Sequence, residues 1–269
     1  MNLSSFELIE DLIVIKCNVN GEDRKFMLDS STPGVILNSK YQKCRNGNSF
    51  EIEEGSLTET VSELKIDTLI FGEVEATNLF AVNMDLSHLE QSLDTEVYGL
   101  IGYGVLKDYN VYIDYQNSEI GLWNDEENKT YIGEKINRSY KFEMERHLPI
   151  ISCKVGGSTY HVALDTGANT NLFDINLKDE LTNYMNVDKQ EKMVGTVQDS
   201  SDISYSVGTM KTLEIAGLGE FPQMTTILSD IPYMDIESTV KIDGILGYQF
   251  LSQERFIICF TQNKLYVVQ

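Results

Sequence analysis

Short apolar runs, each ended by polar turn residues, recur along the whole chain. The first pair, Leu12 to Val19 and Lys25 to Leu28, is joined through Asn20-Gly21, and such a dipeptide between two apolar runs is typical of a tight β-hairpin. The same order recurs in Pro149 to Val155, Gly156-Gly157 and Tyr160 to Leu164. Helical periodicity is scarce, and one short helix is predicted within Leu172 to Met185. The pattern predicts an all-β chain with minor helix.

The chain also reads as two similar halves. A first set of positions recurs 136 residues later, and a second set recurs at an offset of 145. In the first set, Leu12, Ile15, Cys17, Val19, Gly21, Leu28 and Asp29 recur as Leu148, Ile151, Cys153, Val155, Gly157, Leu164 and Asp165. In the second set, Gly72, Asp85, Gly99, Gly102, Tyr103, Leu106 and Ile113 recur as Gly217, Asp230, Gly244, Gly247, Tyr248, Leu251 and Ile258. A repeat of about 140 residues is too long for a solenoid unit and predicts two lobes made by duplication.

The polar segment NDEENKTYIGEKINRSY, residues 124–140, lies between the two halves. We therefore predict an N-terminal lobe of residues 1–123, a connection of residues 124–140 and a C-terminal lobe of residues 141–269. With 269 residues, of which 42% are apolar, the chain is long enough and apolar enough to bury a sizeable core.

The chain is strongly acidic, with 42 Asp and Glu against 21 Lys and Arg and a formal net charge of -21. Because little positive charge is present to neutralise phosphates, we expect no nucleic-acid partner. Two interpretations of the acidity stay open: a well-solvated surface, and a preference for basic peptides.

Cysteine and histidine spacing gives no metal-site pattern. Cys17, Cys44, Cys153 and Cys259 form no CxxC pair, and the three histidines are far apart in the sequence. We therefore predict no metal site and no cofactor. Cys17 and Cys153 lie inside apolar runs, which is typical of free, buried thiols.

No stretch reaches the roughly 18 apolar residues of a membrane span, and the first eleven residues carry acidic side chains with no basic region. We expect no membrane span and no signal peptide within this numbering. The expected location is the cytoplasm, or the periplasm or cell exterior if a leader was removed before this numbering begins.

Each half places an aspartate directly after an apolar strand and an apolar–glycine turn later on. The first motif reads FMLDSS at residues 26–31 and the second reads VALDTG at residues 162–167. The turns read GLIG at residues 99–102 and GILG at residues 244–247. Either aspartate motif alone is often only a turn whose side chain caps its own backbone. Their recurrence with matching glycine turns favours a shared site.

The segment LDTGANTNLF, residues 164–173, resembles the catalytic loop of the retropepsin-like and pepsin-like aspartic proteases. GLIGYGVL and GILGYQFL resemble the segment that packs behind that loop in this family. The resemblance covers both halves and implies a bilobal aspartic-protease-like fold, in which two pseudo-twofold-related β-rich lobes, each retropepsin-like, bring Asp29 and Asp165 together. It also implies flap hairpins, matched by Phe50 to Ile66 and Met193 to Leu213; plain surface hairpins are the alternative.

The resemblance implies that Asp29 and Asp165 are catalytic. Two facing carboxyls cannot both ionise cheaply, so one proton is shared between them. The ionised carboxylate takes a proton from water and the protonated carboxyl donates to the scissile carbonyl, with no covalent intermediate. The loop-bracing residues are expected to be Ser30, Ser31, Thr166 and Gly167.

Ser31 stands where the second motif has Gly167. Glycine at this position lets the backbone approach closely, whereas Ser31 adds a Cβ and the following Pro33 restricts Thr32. The loop is therefore either strained, or repacked with the Ser31 hydroxyl bonded to backbone or to Asp29. Two functions stay open: a monomeric aspartic endopeptidase acting on peptides or proteins, and a catalytically impaired relative that serves as a peptide-binding or interaction module.

Overall fold

The chain folds into two β-rich lobes that share a third sheet. The computed structural model describes residues 3–42, 49–54, 57–124, 136–194, 202–231 and 239–269. Within these residues the structure is built mainly from strands, and its helices are all short.

The first half contains eleven described strands and two α-helices. The strands are β1 (Ser4–Ser5), β2 (Glu7–Ile9), β3 (Leu12–Val19), β4 (Glu22–Leu28), β5 (Val35–Asn38), β6 (Ser49–Glu54), β7 (Leu57–Phe71), β8 (Val74–Met84), β9 (Gly99–Ile101), β10 (Asn110–Asp114) and β11 (Glu119–Trp123). The helices are α1 (Ser87–Leu93) and α2 (Tyr103–Leu106).

The second half repeats this succession over its described residues. Its strands are β12 (Ile136–Lys141), β13 (Glu143–Glu145), β14 (Leu148–Val155), β15 (Ser158–Leu164), β16 (Asn171–Asp174), β17 (Met185–Val194), β18 (Asp202–Ile215), β19 (Gly219–Ser229), β20 (Gly244–Leu246), β21 (Arg255–Cys259) and β22 (Lys264–Val268). The helices are α3 (Lys178–Leu181) and α4 (Tyr248–Leu251), and 3₁₀ turns at Ile175–Leu177 and Thr182–Tyr184 flank α3. The helix predicted within Leu172 to Met185 is therefore confirmed.

The two lobes have the same strand order. The first sheet runs β2-β3-β4-β9-β5-β8-β7-β6 and the second runs β13-β14-β15-β20-β16-β19-β18-β17. Additional pairings of β3 with β7 and of β14 with β18 close six strands of each sheet into a barrel. In each lobe, the strand before the candidate aspartate pairs in parallel with the strand of the glycine turn. The prediction of an all-β chain with two β-rich lobes and minor helix is confirmed.

The predicted hairpins open each barrel. Strand β3 pairs antiparallel with β4, and β14 pairs with β15. All four turn residues, Asn20, Gly21, Gly156 and Gly157, have positive φ angles between 49° and 94°. Two successive residues at positive φ match the right-handed twist of the strands, which is why asparagine and glycine occupy these turns.

The third sheet joins the two halves. Its order is β1-β11-β10-β21-β22-β12, and β10 pairs antiparallel with β21 from Asn110↔Cys259 to Ile113↔Phe256. Strand β12 pairs with β22, although residues 136–140 of this strand fall inside the predicted connection. Residues 125–135 of that connection lie outside the described residues. The lobe boundaries themselves stay a prediction.

Two rows of aromatic rings run from the third sheet to the two candidate loops. The rows are Phe6, Tyr115 and Tyr248 on one side and Phe142, Phe260 and Tyr103 on the other. Their ring centroids lie between 5.2 and 6.4 Å apart in edge-on contact, an arrangement that aromatic rings favour. The Tyr103 N–H donates to Thr32 O at 2.8 Å and the Tyr248 N–H donates to Ala168 O at 2.9 Å, so each row ends against one loop.

The described cysteines are buried. Cys17 and Cys153 occupy matching places in β3 and β14, and Cys259 lies in β21. Burial raises the pKa of Cys17 and of Cys153 to about 12, so both stay protonated thiols. Cys44 lies outside the described residues.

A buried carboxylate ties the two halves of the third sheet together. Asp114 at the end of β10 accepts from Arg255 Nε at 2.8 Å, across the β10–β21 pairing. It also accepts from Asn117 N at 3.1 Å and Asn117 Nδ2 at 2.8 Å. Burial raises the pKa of Asp114, but the hydrogen bonds of Asn117 and the charge of Arg255 outweigh burial, so its pKa lies below the usual value.

We expect Asp114→Ala to lower the free energy of unfolding by about 2–4 kcal/mol at pH 7, because it leaves Arg255 and Asn117 without their buried acceptor. Since the folded pKa of Asp114 is depressed, its contribution is present at neutral pH and is lost as pH falls through that folded value. Urea denaturation at pH 7 and pH 3 measures both effects.

The matched control is Asp23→Ala, which removes a carboxylate that pairs with Lys16 at 2.9 Å on the exposed surface. This change should leave the urea midpoint within error, since exposed ion pairs contribute little. Equal losses in Asp114→Ala and Asp23→Ala would contradict the structural role given to Asp114.

Candidate active site

Each candidate aspartate follows directly on a buried strand that pairs with the strand of a glycine turn. Asp29 follows β4, and its N–H donates to Ile101 O at 2.9 Å. Asp165 follows β15, and its N–H donates to Leu246 O at 3.0 Å. The backbone of both aspartates is therefore fixed before either side chain makes a contact.

The glycine turns pack directly behind the two loops, which we define as the first loop (residues 29–33) and the second loop (residues 165–169). A Cβ on Gly102 would lie 2.0 Å from Thr32 O, and a Cβ on Gly247 would lie 2.3 Å from Ala168 O. No side chain fits at such distances, so the turns need glycine for close approach of two backbones. This explains why GLIG and GILG accompany the two aspartate motifs.

Reciprocal hydrogen bonds lock the two loops together. The Ser30 N–H donates to Thr166 Oγ1 at 2.9 Å, and the Thr166 N–H donates to Ser30 Oγ at 3.1 Å. The Thr166 hydroxyl also donates to Leu28 O at 3.3 Å. Ser30 and Thr166 are both buried, so these bonds form where water cannot compete.

The lock brings the two aspartates into contact. The Asp29 carboxyl lies against the second loop, since a Cβ on Gly167 would be 2.5 Å from Asp29 Cγ. The charge of Asp29 is one of the causes that raise the pKa of Asp165. Two carboxyls placed side by side cannot both ionise cheaply, so a single proton shared between them is the favoured state.

Asp29 accepts four hydrogen bonds from its own loop. The Ser31 N–H, the Ser31 hydroxyl and the Thr32 N–H donate to Oδ1 at 2.9, 2.7 and 3.1 Å. The Thr32 hydroxyl donates to Oδ2 at 2.9 Å. Hydrogen-bond donors favour the ionised form of a carboxyl, so Asp29 is suited to carry the charge of the pair. Of the two alternatives for Ser31, the geometry matches the repacked loop.

Asp165 has a different environment. Only 7% of the residue is exposed, and the Gly167 N–H donates to Oδ1 at 2.7 Å. Burial first, and then the charge of Asp29, raises the pKa of Asp165 to about 8, although Gly167 and the Ser31 hydroxyl act in the opposite direction. Asp165 is therefore suited to hold the shared proton at neutral pH, while Asp29 holds the charge.

Sequence reasoning missed one residue at this site. Thr32 donates twice to Asp29, whereas the second loop has Ala168 at the matching place and lacks this hydroxyl. The difference between Thr32 and Ala168 is visible in the sequence and could have indicated this role.

The hairpins predicted as flaps are present as antiparallel pairs. Strand β6 pairs with β7 over Phe50↔Val61 and neighbouring positions, and β17 pairs with β18 over Met193↔Ile203 and neighbouring positions. Residues 195–201, at the tip of the second hairpin, lie outside the described residues. The flap role of both hairpins stays a prediction.

The part of the chain that the structure describes contains neither a metal-binding cluster nor a membrane-spanning helix. These residues include no group of three or more His, Cys, Asp or Glu side chains placed to hold a metal ion. No helix formed by them has the length and apolar character needed to cross a membrane.

Comparison with known families gives a match to part of the second half of the chain. Residues 151–250 match the family described as aspartyl protease, a stretch that contains the second loop and the GILG turn. A search of curated proteins found no match for the chain. The match and the two barrel lobes together define a bilobal, retropepsin-like aspartic protease fold, so the resemblance predicted from the sequence is confirmed. The match supports a hydrolase of the protease kind.

The raised pKa of Asp165 has a consequence for stability. The unfolded chain releases this proton near the ordinary aspartate value, while the folded chain keeps it up to about pH 8. The folded state therefore loses stability as pH rises across this window. We expect Asp165→Asn to raise the free energy of unfolding by about 1–3 kcal/mol at pH 8 and to change it little at pH 4.

Thermal or urea unfolding from pH 4 to pH 8 checks this expectation. Asp230→Asn, at an exposed position after β19, serves as the control and should show no pH-dependent difference from the wild type. A gain of Asp165→Asn that is the same at both pH values would show that Asp165 is not the group that titrates.

Proposed function

We propose that the protein is an aspartic endopeptidase that cleaves peptide bonds with a water activated between Asp29 and Asp165. The observation that carries the proposal is the locked pair of loops, which holds one carboxyl with four donors against a second carboxyl that is buried and keeps a proton. Two carboxyls with different protonation states are what acid–base catalysis needs.

In the proposed mechanism the two aspartates divide the proton transfers. Asp29 takes a proton from the water, whose oxygen then attacks the scissile carbonyl carbon. Asp165 donates its proton to the carbonyl oxygen, which gives a neutral tetrahedral intermediate. The proton taken up by Asp29 passes to the leaving nitrogen, and collapse of the intermediate returns a proton to Asp165. The chain forms no covalent bond to the substrate.

A single chain supplies both aspartates, so we propose a monomer as the active unit. The matching strand orders and aromatic rows support an origin by duplication, with lobes at residues 1–123 and 141–269. The two hairpins of β6–β7 and β17–β18 would then close over a peptide or protein substrate, one from each lobe.

A second candidate function is a peptide-binding or interaction module with impaired catalysis. The observation that favours it is the Ser31 hydroxyl, which donates to Asp29 Oδ1 at 2.7 Å. In an active enzyme, the attacking water would bind between the carboxyls of Asp29 and Asp165. A hydroxyl that already fills part of this space would compete with that water.

We expect the wild type to cleave an unfolded protein, to be inhibited by a statine-type compound, and to lose activity as pH rises through about 8, because Asp165 then loses the shared proton. Asp29→Asn and Asp165→Asn should each lower kcat/KM by roughly a thousandfold or more, since the pair acts as a unit. Peptide cleavage followed by mass spectrometry measures the activity, its inhibition, its pH dependence and the effect of each substitution.

A metal chelator serves as the control and should leave the rate unchanged. Chelator-sensitive cleavage, or cleavage that survives both substitutions, would contradict the proposed mechanism. Absence of cleavage in the wild type across acid and neutral pH and several substrates would favour the interaction module.

Ser31→Gly separates the repacked loop from a strained one. If the hydroxyl stabilises charged Asp29, its loss should lower the free energy of unfolding by about 1–2 kcal/mol and lower kcat/KM at acid pH by about two- to tenfold. If Ser31 instead strains the loop by roughly 1–3 kcal/mol, its removal should raise the rate by about 5- to 150-fold.

The matched variant is Ser31→Ala, which keeps the Cβ and removes the hydroxyl. On the repacked-loop interpretation, Ser31→Ala and Ser31→Gly should lose activity alike. A gain of activity in Ser31→Gly that Ser31→Ala does not show would identify the Cβ as the cause and overturn this interpretation. Thermal midpoints and peptide-cleavage rates of the three proteins provide the comparison.

A further inference from the structure

A short segment leads from the first loop toward the hairpin of β6 and β7, which we call the first hairpin. We define this entry segment as residues 38–42; it begins with the last residue of β5. The buried Asn38 side chain donates from Nδ2 to Val97 O at 3.0 Å, and its Oδ1 accepts from Lys40 N at 3.1 Å. The start of the entry segment is therefore fixed against the chain just before β9.

Glu90 of helix α1 holds the middle of the entry segment. Its side chain is 10% exposed, and its Oε2 accepts from Lys40 Nζ at 2.7 Å. Its Oε1 accepts from the Tyr41 hydroxyl and from the Val97 N–H, the latter at 3.2 Å. Burial raises the pKa of Glu90, but the hydrogen bonds from Lys40, Tyr41 and Val97 outweigh burial, so its pKa lies below the ordinary glutamate value. The carboxylate is therefore charged at neutral pH, and a charged acceptor makes strong hydrogen bonds.

The contacts continue from Tyr41 to the end of the entry segment. The Tyr41 ring stacks on the buried Tyr98 ring, with centroids 5.6 Å apart, and Lys40 Nζ lies 5.1 Å from the Tyr41 centroid. Gln42 Nε2 donates to the Tyr98 hydroxyl. Tyr41 and Gln42 are thus both held against Tyr98, and Glu90 fixes the hydroxyl end of Tyr41.

The end of the entry segment meets the base of the first hairpin. Asn83 of β8 donates from Nδ2 to Gln42 O at 3.3 Å. Asn83 lies opposite Ser62 of β7, and Ser62 in turn lies opposite Ser49, the first residue of β6. A chain of contacts therefore runs from helix α1 through the entry segment to the place where both strands of the first hairpin begin to extend.

The second lobe is built differently at the matching place. Asn176 and Leu177 stand 136 residues after Lys40 and Tyr41. Leu177 ends a 3₁₀ turn that runs into α3, and its side chain packs against the apolar core. The lysine and tyrosine that bind Glu90 therefore belong to the first of the two matching segments, and the difference sets the first hairpin apart from the second.

Building on the proposed protease function and on the flap role of the first hairpin, we propose that Glu90 is a positioning residue that anchors the base of this hairpin for substrate binding. An anchored base leaves the hairpin fewer positions before a peptide arrives, so less conformational entropy is lost when it closes. Glu90 bonds the entry segment and Val97 rather than the aspartate loops. Its contribution should therefore be equal in the substrate complex and in the transition state, which affects KM and not kcat.

Three substitutions grade the loss of this anchor. Glu90→Ala removes every acceptor of the cluster, and we expect it to raise KM for a peptide substrate about three- to tenfold, with kcat within about twofold of the wild type. Tyr41→Phe keeps the ring on Tyr98 and removes one donor, so KM should rise about twofold. Glu90→Gln keeps an acceptor for Tyr41 and loses the charge that pairs with Lys40, so its KM should lie between those of the other two variants.

Glu7→Gln is the matched control, because Glu7 pairs with Lys25 at 2.7 Å on the exposed surface of the same lobe and does not bond the entry segment. Its KM and kcat should equal those of the wild type. Thermal midpoints show whether each variant is folded at the temperature of the assay. A fall of kcat in Glu90→Ala with KM unchanged would overturn the proposal.

A second measurement does not need cleavage. Hydrogen–deuterium exchange followed by mass spectrometry should show about threefold or faster exchange in Glu90→Ala over residues 39–42 and 61–66, with β14 and β15 of the second lobe unchanged. Faster exchange confined to these residues in a protein that cleaves nothing would uphold the anchor and reject the protease function. Cleavage with unchanged KM and unchanged exchange would reject the anchor and leave the protease function standing. Faster exchange in both lobes alike would also reject the anchor, since Glu90 would then serve general stability.

Discussion

Two carboxyl groups in contact away from water cannot both be ionised, and the structure around Asp29 and Asp165 is arranged around that constraint. If both were charged, the two carboxyls would repel each other. The buried, reciprocal hydrogen bonds between Ser30 and Thr166 hold the loops together. The glycine turns pack so closely behind the loops that neither loop can move away from the other. A proton on Asp165, the more buried of the two aspartates, removes one of the two charges.

The two aspartates have equivalent backbone positions but receive hydrogen bonds from different donors. Both loops follow equivalent strands and receive equivalent hydrogen bonds from equivalent turns. The donors differ, however: Ser31 and Thr32 supply four hydrogen bonds to Asp29, while Gly167 supplies one to Asp165. Burial of Asp165 and the additional donors to Asp29 act in the same direction, and both favour the charge on Asp29 rather than on Asp165.

Much of the fold could be predicted because its signals are local or repeated. The hairpin turns at Asn20-Gly21 and Gly156-Gly157 need positive φ angles, and the sequence shows this directly. The contact of Asp29 with Asp165 followed from the repeat, since equivalent residues of two lobes meet near the axis that relates them. Strand β12 was not predicted. Its sequence is mostly polar, and its partner β22 lies at the far end of the chain.

The details of the candidate site and of the sheet that supports it depend on contacts that no local pattern carries. The ion pairs of Asp114 with Arg255 and of Arg138 with Glu254 join residues 141 and 116 positions apart. Neither pair has a spacing that distinguishes it from many other acidic, basic or polar pairs in the chain. Such contacts become visible only when the strand order is known.

Joining both loops in one polypeptide has a consequence for how the protein can change. In an assembly of two identical subunits, any substitution near the axis occurs twice, so a group that favours charge on one carboxyl favours it equally on the other. Here each side mutates independently. Ser31 can oppose Gly167, and Thr32 can oppose Ala168. A linked pair of half-sites can thus evolve a fixed position for the negative charge, whereas in an unlinked symmetric pair each carboxyl carries it equally often.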